Sequence, residues 1–127
     1  MSWTTYKSTI EAVLTGSGLR EIPENKTPEQ VALSHNHNAF SLKFGGIGDN
    51  STLTNKGMLT THSALIEVRY KNINSDARDV NADNFYTLLT EFVSMANFLG
   101  FDEMTFEDLD NKHSIGKITF QVGVDGC

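Results

Sequence analysis

Three stretches of this chain alternate apolar and polar residues with a period of two, and nothing else in it constrains the fold as strongly. Phe40, Leu42 and Phe44 alternate with Ser41 and Lys43. Ala64, Ile66, Val68 and Tyr70 alternate with Leu65, Glu67 and Arg69. Ile118, Phe120, Val122 and Val124 alternate with Lys117, Thr119, Gln121 and Gly123. Successive side chains of a strand point to opposite sides, so each stretch reads as a half-buried strand. Met104 and Phe106 repeat the pattern within residues 101–109, followed by turn chemistry at Asp110-Asn111-Lys112. Strands of this kind imply a sheet with one apolar face, which something must cover.

Two segments have the helical period needed to cover it. Trp3, Tyr6, Ile10, Val13 and Leu14 recur at three- and four-residue steps, with Ser2 as a candidate cap and Gly16-Ser17-Gly18 as a stop. Phe85, Leu88, Leu89, Phe92, Met95, Ala96 and Leu99 form one broad face over residues 81–99. Asn81 or Asp83 is placed to cap that helix and Gly100 to end it. Residues 19–37 read as irregular, with an extended piece at Ile22-Pro23 and a possible single turn opened by Thr27-Pro28. The expected fold is α+β: a two-layer sandwich of order α-β-β-α-β-β in a single domain, residues 1–127. Its sheet is mainly antiparallel and four-stranded, with helices on one face and the other face free. A long hairpin loop, residues 45–61, joins the first two strands; it is rich in Gly, Asn, Ser and Thr and has no clear period. Loops of such length inside a domain are usually functional or flexible.

Charge and composition narrow the function. The chain carries 10 Lys and Arg against 16 Asp and Glu, a net charge of −6. Its cations are scattered, which argues against binding the phosphates of nucleic acid. No apolar run approaches the roughly 20 residues that cross a bilayer, and the first residues lack the pattern of a secretory signal. Cys127 is the single cysteine, so neither an intramolecular disulfide nor a multi-cysteine metal site is available.

Candidate chemistry is sparse. His35 and His37 sit two apart, with His62 and His113 as conceivable further ligands for a metal. Zinc, however, needs three or four ligands with supporting partners, and no Cys, Asp or Glu stands at a supporting spacing. Gly45-Gly46-Ile47-Gly48-Asp49-Asn50 follows a strand but lacks the helix start and Lys-Ser/Thr of a phosphate loop, so it reads as a turn. Asp102-Glu103, Glu107-Asp108 and Asp110 lack the ligand order of a calcium loop and read as solvated hairpin acids. The aromatic residues Phe40, Phe44, Phe85, Phe92, Phe106 and Phe120 are spaced as core. No catalytic residue, cofactor site or metal site emerges, and the chain is expected not to be an enzyme.

The order of elements carries a resemblance. The features are the short first helix ending near Gly18, Ile22-Pro23 leading to the strand Phe40-Ser41-Leu42-Lys43-Phe44, and the strand Ala64-Leu65-Ile66-Glu67-Val68-Arg69-Tyr70. The helix around Asn84-Phe85-Tyr86-Thr87-Leu88-Leu89 and the closing Ile118-Thr119-Phe120-Gln121-Val122 complete it. In this pattern the chain resembles phage tail terminator proteins, the minor tail protein U-like family, and the related tail-completion and tail-to-head joining proteins. The resemblance implies a virion protein, assembled in the host cytoplasm, that forms a homo-hexameric ring at the head-proximal end of the tail. Such a ring caps the tail tube, stops its polymerisation and offers a docking surface to head-completion or neck proteins. DNA passes its lumen without specific binding, and no membrane is involved. Carried onto this sequence, the long loop becomes the contact segment, with Gly46, Ile47, Asp49, Asn50, Leu53, Lys56, Met58 and Leu59 as candidate assembly residues.

Two other readings compete. A small regulatory or ligand-binding module would use the free sheet face and respond to a ligand with thermal stabilisation. A metal-dependent hydrolase would be built on His35, His37 and His62.

Overall fold

A computed structural model describes residues 3–22, 38–47, 52–54, 57–96, 98–110 and 112–125. Helix α1 spans Trp3–Gly16, followed by strands β1 (Arg20–Glu21), β2 (Ala39–Ile47), β3 (Thr52–Thr54) and β4 (Gly57–Lys71). Helix α2 spans Ser75–Val93, and strands β5 (Phe98–Asp110) and β6 (His113–Asp125) close the chain. Five strands lie side by side in the order β1-β2-β4-β6-β5, and β3 pairs with the start of β4.

This corrects the expected α-β-β-α-β-β order and the mainly antiparallel four-stranded sheet. The sheet is mixed, because β1 runs parallel to β2, with Arg20 opposite Ala39 and Glu21 opposite Phe40. Strand β1 is held by backbone bonds from the Arg20 amide to the Asn38 carbonyl at 2.9 Å and from the Ile22 amide to the Phe40 carbonyl at 2.8 Å. Two residues are too few to display a period, which is why the sequence does not announce this strand. The connection from β1 to β2 is also long enough to bring the chain back in parallel.

The expected loop at residues 45–61 is a second correction, since much of it is strand. Strand β2 runs on to Ile47 through a bulge between Phe44 and Gly46, and Gly46 sits there at φ 109°, a conformation that favours glycine. Strand β3 then pairs with β4 from Thr52 opposite Leu59 to Thr54 opposite Gly57. These strands are defined by backbone pairing, which the sequence of the segment does not announce through an apolar alternation.

Helix α2 begins six residues before the expected start at residue 81. Asn74 is its cap, accepting a bond from the Ala77 amide at 2.8 Å, and Asp76 in the first turn suits the positive end of the helix dipole. The opening turns are exposed and polar, so they carry no apolar periodicity. The helix stops at Val93, and Leu99 belongs to β5. Ser2, Ile22-Pro23 beyond Ile22, and the Thr27-Pro28 turn lie outside the described residues.

Pairing in β4 and β6 sets Ala64 beside Phe120 and Ile66 beside Ile118 on the covered side. Tyr6, Ile10 and Leu14 of α1 and Phe85, Leu88 and Phe92 of α2 join Phe40, Leu42, Val68 and Val122 in one core. Phe120 is its aromatic centre, with ring centroids of Phe92 at 5.0 Å, Phe98 at 5.6 Å and Phe101 at 6.2 Å. Gly116 of β6 lies directly under Phe85, so α2 seats closely on the sheet. Phe44, expected in the core, is 45% exposed, because it stands at the bulge where helix coverage ends.

Candidate functional site

Where the helices stop, the sheet continues. The ring of Trp3, at the first described residue of α1, lies 5.0 Å from that of Phe44, which in turn meets His62 at 5.5 Å. Beyond that level, β4 and β6 keep pairing through Thr61–Gly123, Thr60–Val124 and Leu59–Asp125, with β3 alongside β4. The result is a three-stranded tongue, β3-β4-β6, at one end of the molecule. It holds several of the candidate assembly residues. Gly46 forms the bulge at its base, Ile47 pairs with His62, Leu53 pairs with Met58, and Leu59 pairs with both Thr52 and Asp125. Asp49, Asn50 and Lys56 lie outside the described residues.

At the base of the tongue, two adjacent polar groups are buried without partners, the Thr61 hydroxyl and His62 Nδ1. Burial lowers the pKa of His62 from its ordinary 6.5, since the charged ring loses water and gains no acceptor. The unfolded chain therefore binds the proton more readily than the folded one. Stability from this residue is present above about pH 6.5 and is lost as pH falls through that value towards the lower folded pKa. Thermal melts from pH 7.5 to pH 5 should show the wild-type midpoint falling more steeply than that of His62→Gln. Parallel curves would mean that His62 titrates alike in both states.

The remaining candidate ligands do not converge. His62 pairs with Val122 and His113 with Lys71, nine positions apart along the same two strands. At about 3.3 Å per residue that separation is roughly 30 Å, so the two cannot share a metal. His35 and His37 lie outside the described residues, and no group of three or more His, Cys, Asp or Glu is arranged for a metal among those described. Asp102, Glu103 and Glu107 are spread along β5, while Asp108 and Asp110 stand at its end, where β5 turns back into β6.

Near the start of α2 the polar groups satisfy one another. Asn72 Nδ2 donates to Ser114 Oγ at 2.7 Å, and Asn81 Nδ2 donates to Asn72 Oδ1 at 2.8 Å and to the Lys71 carbonyl at 3.1 Å. Ser114 Oγ and Arg78 Nε both donate to Asp108 Oδ1, at 3.3 and 2.6 Å. This chain ties α2 to β5 and β6, and its members are committed to structure. Burial raises the pKa of Tyr70 far above the ordinary phenol range, so its hydroxyl stays protonated and is no base.

On the uncovered sheet face, Ser41, Lys43, Leu65, Glu67, Lys117 and Thr119 surround an open hollow of about 220 Å³. Small-molecule pockets commonly measure about 300–1,000 Å³ and are more enclosed. Arg69 pairs with Glu67 at 3.1 Å on this face, and Gln121 donates to Asp102 at 2.9 Å. The face is polar and charge-patterned, which suits a protein or solvent contact better than an apolar ligand.

No family model matches the sequence, and no curated protein matches it at a significant level. No helix among the described residues is long and apolar enough to cross a membrane.

Proposed function

We propose that this chain is a structural subunit of a phage tail end, a ring-forming protein that caps the tail tube and receives the neck or head-completion proteins. The observation that carries the reading is the β3-β4-β6 tongue, a pairing-stabilised extension of the sheet past its helix-covered core. An extension that adds nothing to the described core has its natural use in reaching a neighbour. The acidic balance, the polar uncovered face and the scarcity of clustered cations fit a ring through which DNA passes without sticking. In this reading the subunits number six, and the tube protein lies on one side of the ring with the neck protein on the other.

Shortening the tongue tests this. Replacing residues 48–58 with a brief Gly/Ser turn removes none of the core residues named above, so the variant should stay folded with a melting point within a few degrees of the wild type. It should fail to form rings or to cap tail tubes, giving tubes of uncontrolled length in an assembly reaction. Tubes of normal length would remove the tongue from the assembly role.

A further inference from the structure

On one side the sheet ends in β5, a strand of 13 residues whose outer edge pairs with no other strand among the described residues. Every second residue of such an edge turns its N–H and C=O outwards, where another chain can bond to them. Register shifts interrupt β5 at Phe98/Gly100, Phe101/Glu103 and Asp108/Asp110. Between Glu103 and Asp108 it is regular, a run of ordinary strand length.

The two sides of that run differ in chemistry. Met104 and Phe106 pair with Ile118 and Gly116, on the helix-covered face. Phe106 packs on Tyr70 and Phe85, while Met104, at the rim of the layer, is 55% exposed. Tyr86 and Val93 of α2 are exposed as well. Seven residues apart, they lie on one line of the helix, on the flank away from Asn81 and Asn84, which line a hollow at the end of α1. The helix side of the edge is therefore apolar.

The other side is acidic. Strand β5 has five Asp and Glu and no Lys or Arg. Asp108 is engaged by Arg78 and Ser114, and Asp102 by Gln121. Glu103 and Glu107, which pair with Thr119 and Ile115 on the uncovered face, are exposed. Neither makes an ion pair among the described residues, although Lys43 and Lys117 line the same open hollow as Glu103. A second copy adding its own β5 here would set acids against acids, and like charges across a strand pair are destabilising. The edge thus discriminates against its own copy and favours a cationic strand.

We propose that the β5 edge receives an extended segment of a partner protein in which basic and apolar residues alternate. The basic side chains meet Glu103 and Glu107, and the apolar ones cover Met104 beside Phe106. In strand addition of this kind, backbone bonds supply affinity and the alternating side chains supply specificity. The inference goes beyond the ring reading and does not rest on it, since neither the tongue nor the subunit number enters it.

The probe is a short peptide of alternating Lys and Val, compared with a peptide of the same composition whose Lys and Val stand in two blocks. Fluorescence anisotropy with the full chain should show the alternating peptide binding at least about tenfold more tightly than the block peptide. Amide hydrogen exchange over residues 103–108 should slow when it binds. The double variant Glu103→Gln, Glu107→Gln changes only exposed side chains, so it should melt as the wild type does and bind the alternating peptide about tenfold more weakly. Equal affinity for the two peptides, unchanged affinity in the double variant, or unaltered exchange over residues 103–108 would each overturn the proposal, leaving the acids and bulges as guards of the edge. Exchange there that slows with rising protein concentration and no peptide would overturn it too, and assign the edge to a second copy.

Discussion

Phe92→Ala should cost the protein about 3–5 kcal/mol, a large part of the roughly 5–15 kcal/mol by which a domain of this size is stable. Phe92 is fully buried, and its ring stacks 5.0 Å from Phe120, the aromatic residue that α2 and the β5 rings share. Truncation removes the burial of the ring and leaves a void that Phe98 and Phe101 cannot fill, since each is already packed on Phe120 from the β5 side. At about 4 °C per kcal/mol for a chain of this length, the melting point should fall by roughly 12–20 °C. Phe92→Leu, which keeps much of the volume, should lose less than half as much. A drop of only a degree or two for Phe92→Ala would mean that α2 does not pack on the sheet through this residue.

Gly116→Ala should be costly for the opposite reason. A methyl group built on Gly116 would lie 2.3 Å from Phe85 Cε1 and 2.6 Å from Cδ1, distances that real contacts do not reach. The Phe85 ring cannot simply turn aside, because Phe106 stands 5.4 Å away across it. Either the ring leaves its rotamer or α2 lifts from the sheet, and overpacking of this kind costs about 1–3 kcal/mol. Phe85→Leu on its own should also destabilise, by loss of aromatic packing. The double variant should be more stable than the sum of the two losses implies, with a coupling of about 0.5–3 kcal/mol between the sites. Chemical denaturation of the four proteins checks this, and strict additivity would show that Gly116 and Phe85 do not meet.

Both residues show what was readable in the sequence and what was not. Phe85 and Phe92 declare the inner face of α2 through their spacing, and Ile66, Val68, Ile118 and Phe120 declare the inner face of the sheet, because burial on one side forces a period. The role of Gly116 leaves no such trace: a glycine in an alternating strand shows its purpose only once its neighbour across the layer is known. Strand β1 is silent for a related reason, since Arg20 and Glu21 pair through their backbones with both side chains exposed. The first turns of α2 are silent because Ser75, Asp76 and Asp79 face water, and their helix is started by the Asn74 cap.

The candidate surface divides in the same way. A segment between the first two strands is visible from composition, but its identity as paired strand is not, because pairing outside a core asks nothing of side-chain polarity. His62 shows the converse, a residue that attracts a metal reading in sequence and proves to be a partly buried ring packed against Phe44.

The most direct test is sedimentation velocity of the full wild-type chain across a hundredfold range of concentration at low salt, alone and with uncapped tail tubes. A ring subunit should give a discrete species near six times the 14.1 kDa chain mass, or co-sediment with the tubes and end their growth. A 14.1 kDa monomer at every concentration, with tubes that bind none of it, would contradict an assembly role.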